Sequence, residues 1–431
     1  MVPLPIKLLV CLLLILQLVS VAQDDYANQQ TLRYHNHCYK SNIKTILLEA
    51  EGAPLSFPMY DINSNVKLIV RFDDLDADFK NYNYTVEHCD ANWQPSNIPQ
   101  DLYVKGFNNE PILNYKTSFN TLVKYTHYTF SFPNENMQLL ITGNYLLKIV
   151  DRDYPDNFIF VRRFLVFENR LQIKEDIHRP VNPEFRREKQ EIDFVVNTAG
   201  LTLPNPYTDL KVKILQNDNW NTALETLRPL YVKQEELEYN YESENLFNGG
   251  NQFRWFDIRS IRYHGEGVNT IEYNETEKNY AVQLFTDNKR SADRYVSDND
   301  INGNYLIKYN EGSDDHLMGD YVSVTFRLKV TAKDDCGNIY VHGALSAWEQ
   351  EENNRMKYDS LTNTYTRTLL LKQGYYNYLY TCDGNESLPF DIEGNHWETE
   401  NNYMILVYNM QPGKRYYELL GVRRFNSLRI Y

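Results

Sequence analysis

Several kinds of residue are scarce in this 431-residue chain, and each scarcity excludes a class of protein. Alanine occurs only 13 times, against 35 Tyr and 20 Phe. Because alanine favours helices whereas tyrosine and phenylalanine favour strands, this balance argues against a mainly helical protein. Basic residues are also fewer than acidic ones: 44 Lys and Arg against 58 Asp and Glu give a net charge of -14. A nucleic-acid backbone is therefore not an expected partner. The mean hydropathy of -0.58 excludes a helical protein with many membrane spans.

The sequence also lacks the short motifs that carry much of enzyme chemistry. It has no GxSxG elbow, no HExxH zinc motif and no GxxxxGK(S/T) phosphate loop. Gly265-Glu266-Gly267 lacks the third glycine of a dinucleotide-binding fingerprint. No CxxC occurs, which excludes a thioredoxin-like redox motif and a zinc ribbon. We therefore predict a protein that is not an enzyme, with no catalytic residues, no cofactor and no metal site.

Residues 1–23 have the pattern of a secretory signal peptide. Lys7 precedes an apolar run over residues 8–19, and Ser20 and Ala22 supply the small side chains of a cleavage site. A run of this length is too short to cross about 30 Å of hydrocarbon as a helix. We therefore expect export out of the cytoplasm, and a mature chain that is soluble or peripheral to a membrane.

Four cysteines remain after such cleavage, namely Cys38, Cys89, Cys336 and Cys382. An exported protein can oxidise them. Four cysteines allow three pairings, and proximity along the chain favours Cys38 with Cys89 and Cys336 with Cys382. Four separate buried thiols are the alternative, and the sequence leaves this choice open.

An alternation of apolar and polar residues with a period of two dominates the chain. The clearest example has Val322, Val324 and Phe326 alternating with Ser323 and Thr325. Such alternation predicts a strand with one buried and one solvated face. Many runs of this kind, without a long amphipathic helix, predict an all-β protein built from tandem antiparallel sandwiches of the immunoglobulin or fibronectin type.

Polar stretches near residues 168–169 and 312–319 suggest the domain boundaries. The predicted units are an amino-terminal β-sandwich domain at 24–168, a middle β-rich domain at 169–318 and a carboxy-terminal immunoglobulin-like domain at 319–431. The polar stretch 174–191, which contains Pro180 and Pro183, is predicted to be the linker and the entry into the second unit. A short helical turn can form near residues 99–104.

Two clusters of potential ligand residues stand out in the amino-terminal half. The first is acidic and consists of Asp73, Asp74, Asp76 and Asp78. Neighbours in one loop rarely span a catalytic cleft, so we interpret it as a solvated loop or an acidic patch that faces a partner. The second consists of His35, His37 and Cys38. It lacks an evident fourth zinc ligand, so we interpret it as part of a mobile terminal segment.

The carboxy-terminal unit carries a more specific pattern. Residues 339–348 read IYVHGALSAW, and residues 374–384 read GYYNYLYTCDG. This pattern resembles the early-set immunoglobulin-like domains that bind glycogen and starch, in which exposed aromatic rings stack on sugars. The resemblance implies Trp348 as a candidate sugar-binding residue, and Trp397 is a second aromatic candidate without an assigned place in that fold. The alternative is that Trp348 packs into the sandwich core.

A wider resemblance extends from about Ile43 to Ser427. Its diagnostic stretches are FDDLDAD at 72–78, YTVEHCDANWQPS at 84–96, FPNENM at 132–137, VKILQNDNW at 212–220, FNGGNQFRWFD at 247–257, LKQGYYNY at 371–378 and ETENNY at 398–403. In order, spacing and length these stretches resemble the plug protein of the type IX secretion system, a family long described as a domain of unknown function.

The resemblance implies a periplasmic β-sandwich protein without catalytic activity. Its implied partner is the giant outer-membrane β-barrel translocon, whose periplasmic mouth the plug closes when the barrel holds neither cargo nor its shuttle protein. The resemblance assigns no translocon contacts, so the partner-binding residues stay unknown, and our hypothesis is that exposed aromatic loops dock on the rim of the barrel. The alternative function is a periplasmic carbohydrate-binding protein. Nucleic acid and small-molecule substrates are not expected partners.

Overall fold

The computed structural model describes residues 30–330, 337–383, 390–410 and 413–428. Antiparallel sheets make up most of this part of the chain. Helices in it are short, with four residues each at Pro206–Asp209, Asp315–Met318 and Phe390–Glu393. The prediction of an all-β protein built from antiparallel sandwiches is confirmed.

The first unit is a two-sheet sandwich. Its strands are β1 His37–Cys38, β2 Ile43–Ala50, β3 Met59–Asp61, β4 Leu68–Asp74, β5 Tyr82–Cys89, β6 Val104–Gly106, β7 Glu110–Pro111, β8 Asn114–Thr117, β9 Thr126–Phe132, β10 Met137–Leu139, β11 Gly143–Asp151 and β12 Phe158–Phe167. One sheet has the order β1-β12-β11-β5-β7 with β3 beside β12, and the other has the order β2-β4-β9-β8. Phe72, Tyr128 and Phe160 pack in the core between them. The helical turn expected near residues 99–104 is a 3-10 turn at Gln100–Leu102.

The middle unit is a second sandwich. Its strands are β13 Gln172–His178, β14 Lys189–Asn197, β15 Leu210–Gln216, β16 Asn219–Leu224, β17 Tyr231–Val232, β18 Glu236–Tyr239 and β19 Leu246–Asn248, joined by two strands from the end of the chain that are described below. One sheet has the order β13-β14-β18-β17 with β19 beside β14. Ile192, Phe194 and Val196 of β14 point into the core, as their alternation requires.

The third unit follows the middle strands directly. It contains β20 Arg254–Asp257, β21 Val268–Asn274, β22 Asn279–Leu284, β23 Asp287–Asn288, β24 Tyr305–Ile307, β25 Tyr321–Lys329, β26 Ile339–His342, β27 Lys357–Asp359, β28 Thr364–Lys372 and β29 Gly374–Cys382. One sheet has the order β20-β29-β24 with β26 beside β29, and the other has the order β21-β22-β25-β28-β27 with β23 beside β25. Val322, Val324 and Phe326 of β25 are buried, whereas Ser323 and Thr325 on its other face are only partly buried.

The chain then returns to the middle unit. The last strands are β30 Asn402–Asn409 and β31 Glu418–Asn426, and they complete a sheet of order β16-β15-β30-β31. Ile214 of β15 pairs with Ile405 of β30. The third unit is therefore inserted between β19 and β30.

The sheets do not follow the boundary predicted at residues 318–319. Tyr305 of β24 lies before that boundary, yet it pairs with Tyr376 of β29. Residues 319–431 thus contribute strands to two units instead of one. Alternation along a strand shows that one face is buried, but it does not show which distant strand completes the sheet.

The structure also corrects the linker predicted over residues 174–191. Residues 174–178 belong to β13 and residues 189–191 belong to β14, which pair with each other. Ile177 and Ile192 face the core, while charged side chains occupy the opposite face. That charged face is what made the stretch resemble a linker.

A continuous apolar core joins the first and middle units. Leu146 and Val161 of the first unit form one buried cluster with Leu215 and Leu406 of the middle unit. The hydroxyl of Tyr408 in β30 also donates a 2.7 Å hydrogen bond to Oδ1 of Asn144 in the first unit. The two sandwiches therefore pack directly against each other.

The structure describes three of the four cysteines whose pairing was predicted, namely Cys38, Cys89 and Cys382. Cys38 and Cys89 are free thiols, so their predicted pairing is wrong. They lie on β1 and β5, which β12 and β11 separate in the sheet, so roughly 14 Å lies between the two strands. Cys382 is disulfide-bonded. Cys336 and the predicted signal peptide 1–23 lie outside the described residues. No helix in the described ranges has the length and apolar character that a membrane-spanning helix needs.

Candidate partner-binding surface

Five large apolar side chains of the first unit project into solvent. We call them the apolar rim, and they are Phe79, Phe107, Leu113, Tyr115 and Phe119, with exposed fractions of 53%, 68%, 75%, 42% and 67%. Single exposed apolar residues are common on protein surfaces. Three of them, Phe107, Leu113 and Phe119, lie beside one concave site, and such grouping is a mark of interaction surfaces.

That concave site is a cleft of about 600 Å³ between the first and third units. Strands β4, β8 and β9 of the first unit and residues 314–317 of the third unit supply its walls. Its lining includes basic side chains, an acidic side chain and two histidines, namely Arg71, Lys116, Glu110, His127 and His316. The cleft has a mixed lining, because Ile69, Phe130 and Leu317 also contribute to it.

Backbone hydrogen bonds place two rim residues beside the cleft. The amide of Phe107 donates to the carbonyl of Asn136 over 2.8 Å, and the amide of Phe119 donates to the carbonyl of Leu317 over 2.9 Å. Both Asn136 and Leu317 line the cleft. The loops that carry these phenylalanines are thereby tied to its walls.

The edge strand β8 carries the remaining rim contacts. Leu113, just before β8, lines the cleft. The ring of Tyr115 lies 4.5 Å from that of Phe79 and 5.9 Å from that of the buried Tyr128, so these two rim residues lie on the other face of the sheet. All four residues of β8 are exposed, and within the described ranges the strand pairs only with β9. Its outer edge therefore offers free backbone donors and acceptors, which a strand from another protein can pair with.

A buried ion pair joins the first unit to the third next to this cleft. Asp73 is 1% exposed, and its Oδ2 accepts hydrogen bonds of 2.7 Å from Lys372 Nζ and from the hydroxyl of Tyr321. Its Oδ1 lies 2.6 Å from Nδ1 of His127. Burial raises the pKa of Asp73, but Lys372 and His127 outweigh this effect and hold the pKa below its ordinary value. We call these four residues the Asp73 clasp.

Two further contacts from the third unit position the same region. The ring of His316 stacks on that of His127 with centroids 5.3 Å apart, and burial together with nearby positive charge lowers the pKa of His316 to about 4. The carboxylate of Asp320 accepts hydrogen bonds from the amides of Leu122 and Val123 at 2.6 and 3.0 Å. The loop that carries Phe119 is thus held by the third unit.

The predicted acidic cluster is divided by the fold. Asp73 and Asp74 are buried, so their interpretation as a solvated or partner-facing patch is wrong. Asp76 and Asp78 are exposed, and the Lys80 ammonium pairs with Asp76, with Asp74 at 2.9 Å and with Asp78 at 3.4 Å. Both buried carboxylates therefore serve the packing of the fold.

The two candidate tryptophans are partly buried and already in contact with other side chains. The ring of Trp348 lies 6.0 Å from the ring of Phe253 and 5.3 Å from that of His342. The Arg179 guanidinium lies 4.8 Å above the ring of Trp397. Sugar stacking needs an open ring face, and these contacts occupy part of both rings. Their sugar-binding role stays a prediction.

The histidine and cysteine cluster at the amino terminus is part of the first unit. His37 Nδ1 lies 3.0 Å from a carboxylate oxygen of Glu351, and the Cys38 thiol donates to the carbonyl of Lys40 over 3.2 Å. Both residues form β1 and pair with β12. The interpretation of this segment as a mobile terminus is therefore wrong.

The sequence predicted exposed aromatic loops, but it did not indicate which residues form the apolar rim. A usable signal was present, since Phe107 and Phe119 each stand before an asparagine in turn-rich segments outside the alternating runs. Large apolar residues in such segments have no strand face to occupy, and they end on the surface.

Comparisons with known proteins agree with this description. A crystal structure of a hypothetical protein from Parabacteroides merdae ATCC 43184 superimposes with a TM-score of 0.87 at 29% sequence identity, covering 92% of this chain and 100% of that chain. No curated protein matches. Residues 43–168 match the family model described as type 9 secretion system plug protein 1st domain, and all five rim residues lie in that range. The resemblance inferred from the sequence is thus confirmed over residues 43–168, which are similar to the first domain of the type 9 secretion system plug proteins.

Proposed function

We propose that the protein is a periplasmic plug of type IX secretion. It binds the giant outer-membrane β-barrel translocon and closes the periplasmic opening of that barrel, and it is peripheral to the outer membrane through this partner. It acts by binding and not by catalysis. The docking surface is the part of the apolar rim beside the cleft, formed by Phe107, Leu113 and Phe119.

The position of the rim carries this proposal. Phe107, Leu113 and Phe119 are each at least 67% exposed, and all lie in the unit that matches the plug family. Removing such a side chain from water on docking contributes about 1.5–3 kcal/mol. A few aromatic anchors of this kind commonly dominate the binding energy of an interface.

Preorganisation supports the same surface. Asp320 and the Asp73 clasp fix the loop and strands that carry the rim before any partner arrives. A surface that is ordered in advance loses less entropy on binding, and more of its contact energy appears as affinity. The open edge of β8 adds backbone pairing as a second source of affinity.

Carbohydrate binding is the less supported function. It needs exposed aromatic platforms in the third unit, whereas Trp348 and Trp397 are partly buried and contacted by neighbouring side chains.

The test is an affinity purification of tagged variants from gently solubilised envelopes. The double variant Phe107→Ser with Phe119→Ser is expected to lose about 2 kcal/mol or more of binding energy, so that translocon affinity falls about 30-fold. The matched control is Leu361→Ser, because Leu361 is 93% exposed in the third unit, away from the rim. Unchanged melting temperatures will show that both variants fold.

Two results would contradict the proposal in different ways. Equal recovery of the translocon with the double variant and with wild type refutes the rim as the docking surface. Purification of the wild-type protein without any outer-membrane barrel, at both low and moderate salt, refutes the plug function itself.

A further inference from the structure

The outward face of the first sheet of the middle unit carries a cluster of three potential ligand side chains. His178 of β13 lies directly opposite Glu191 of β14 in the antiparallel register. Asp193 follows Glu191 by two residues, so it projects from the same face. The core-facing residues between them are Ile177 and Ile192. The strand pairing therefore brings one imidazole and two carboxylates together.

The distances within this cluster suit a metal ion. One donor atom from each of the three side chains lies within 4.8 Å of the other two, and His178 Nε2 is 3.1 Å from Asp193 Oδ2. Zinc bonds of about 2.0–2.2 Å to nitrogen and oxygen in a tetrahedron place neighbouring ligand atoms about 3.4 Å apart. Small side-chain rotations are enough to reach that geometry.

The orientation of the His178 ring agrees with a ligand role. Its Nδ1 lies 3.2 Å from the carbonyl oxygen of Arg179, which can only accept a hydrogen bond, so Nδ1 carries the proton. The Nε2 faces the carboxylate of Asp193 across 3.1 Å. Two acceptors in contact require a proton or a cation between them. Metal-binding histidines are usually oriented by an Nδ1 hydrogen bond of this kind.

The cluster has two carboxylates and one imidazole, and Asp193 pairs with that imidazole. Glu191 is 3% exposed, and among the ion pairs of the described chain neither it nor Asp193 contacts a lysine or arginine. Asn245, which is 0% exposed, donates a 2.7 Å hydrogen bond to Asp193 Oδ1, and its own side-chain oxygen has no hydrogen-bond partner. A buried carboxylate is costly unless a positive charge or hydrogen-bond donors compensate it. By contrast, the group formed by Asp74, Asp76 and Asp78 already holds the Lys80 ammonium.

We propose that His178, Glu191 and Asp193 bind one zinc ion, with water as the fourth ligand. Nitrogen and carboxylate donors in a set of three suit zinc better than calcium or magnesium, which prefer oxygen alone. The ion would fasten the edge strand β13 to β14 and stabilise the middle unit. This proposal does not depend on translocon binding.

The test is a zinc titration of the purified protein after EDTA treatment and dialysis. Calorimetry with zinc chloride is expected to give one site per chain, and the bound metal is counted by elemental analysis. The variants His178→Ala and Asp193→Asn are expected to weaken zinc binding at least tenfold. Zinc should also raise the melting temperature of wild type but not of these variants.

Matched variants separate this site from other histidines. His264→Ala alters an exposed histidine, and the double variant His35→Ala with His37→Ala removes the terminal pair; both are expected to bind zinc as wild type does. If His178→Ala fails to fold, the isosteric Glu191→Gln replaces it in the comparison. The proposal is overturned if zinc does not bind at micromolar concentration, if calcium binds and zinc does not, or if the site variants bind zinc unchanged.

Discussion

The Asp73 clasp makes a quantitative prediction for the junction between the first and third units. Lys372→Met removes the ammonium that neutralises Asp73 while keeping most of the side-chain length. The Lys372 and Asp73 side chains are 0% and 1% exposed, and their charged atoms are 2.7 Å apart. Breaking a buried pair leaves an uncompensated charge and costs about 3–5 kcal/mol. Because His127 and Tyr321 still contact Asp73, we expect the lower end, about 3 kcal/mol.

A double-mutant cycle isolates the pair from other effects. Asp73→Asn alone leaves Lys372 buried without its counter-charge, so it is also expected to cost about 3 kcal/mol. The combined variant leaves neither charge buried, so its cost should fall below the sum of the single costs by about 2–3 kcal/mol. Urea-induced unfolding, followed by tryptophan fluorescence at neutral pH, measures all four proteins.

An exposed pair provides the control. Arg423 and Glu175 are also 2.7 Å apart, but the arginine side chain is 50% exposed. Their coupling energy, measured with Arg423→Met and Glu175→Gln, should stay below about 1 kcal/mol. If the coupling between Asp73 and Lys372 is equally small, the reasoning that burial makes this pair strong is refuted.

Three further predictions concern packing, pH and thiols. Gly303→Ala should destabilise the protein by at least about 2 kcal/mol in thermal melting, because φ is +79° and the added Cβ would lie 2.4 Å from the Trp348 ring. Burial lowers the pKa of His88 to about 4, so stability should be full above pH 6.5 and fall towards pH 4; His88→Gln should remove about 3 kcal/mol of that decline in urea titrations. Cys89 should react with a thiol reagent only after unfolding, since it is buried and burial raises its pKa to about 12; rapid labelling of Cys89 in the native protein would contradict this.

Local patterns in the sequence were sufficient for the strands. The alternation around Val322 predicts a half-buried strand, and β25 has that form. The burial of Asp73 was not predictable in this way, since its partners Tyr321 and Lys372 lie about 250 and 300 residues further along the chain. An acidic run has the same composition whether it faces solvent or a buried lysine.

The candidate surface shows the same limit. The sequence suggested exposed aromatic loops in general terms, but Phe107 and Phe119 belong together only because residues 314–317 of the third unit close the cleft beside them. Similarly, His178 and Asp193 meet because a polar stretch that resembled a linker forms a strand pair. Turn residues and charges report local exposure, whereas a site is made by contacts between distant segments.

The insertion of the third unit between β19 and β30 sets an order of folding. A chain that emerges with its amino terminus first can complete the first and third units before β30 and β31 are available. Until then β15 lacks its partner strand, and the apolar side chains of Val212 and Ile214 have no sheet neighbour on that side. The middle unit is therefore the last to have all of its strands available, although it lies second in the sequence. Removing the final strands would leave it incomplete while the other two units keep all of their own strands.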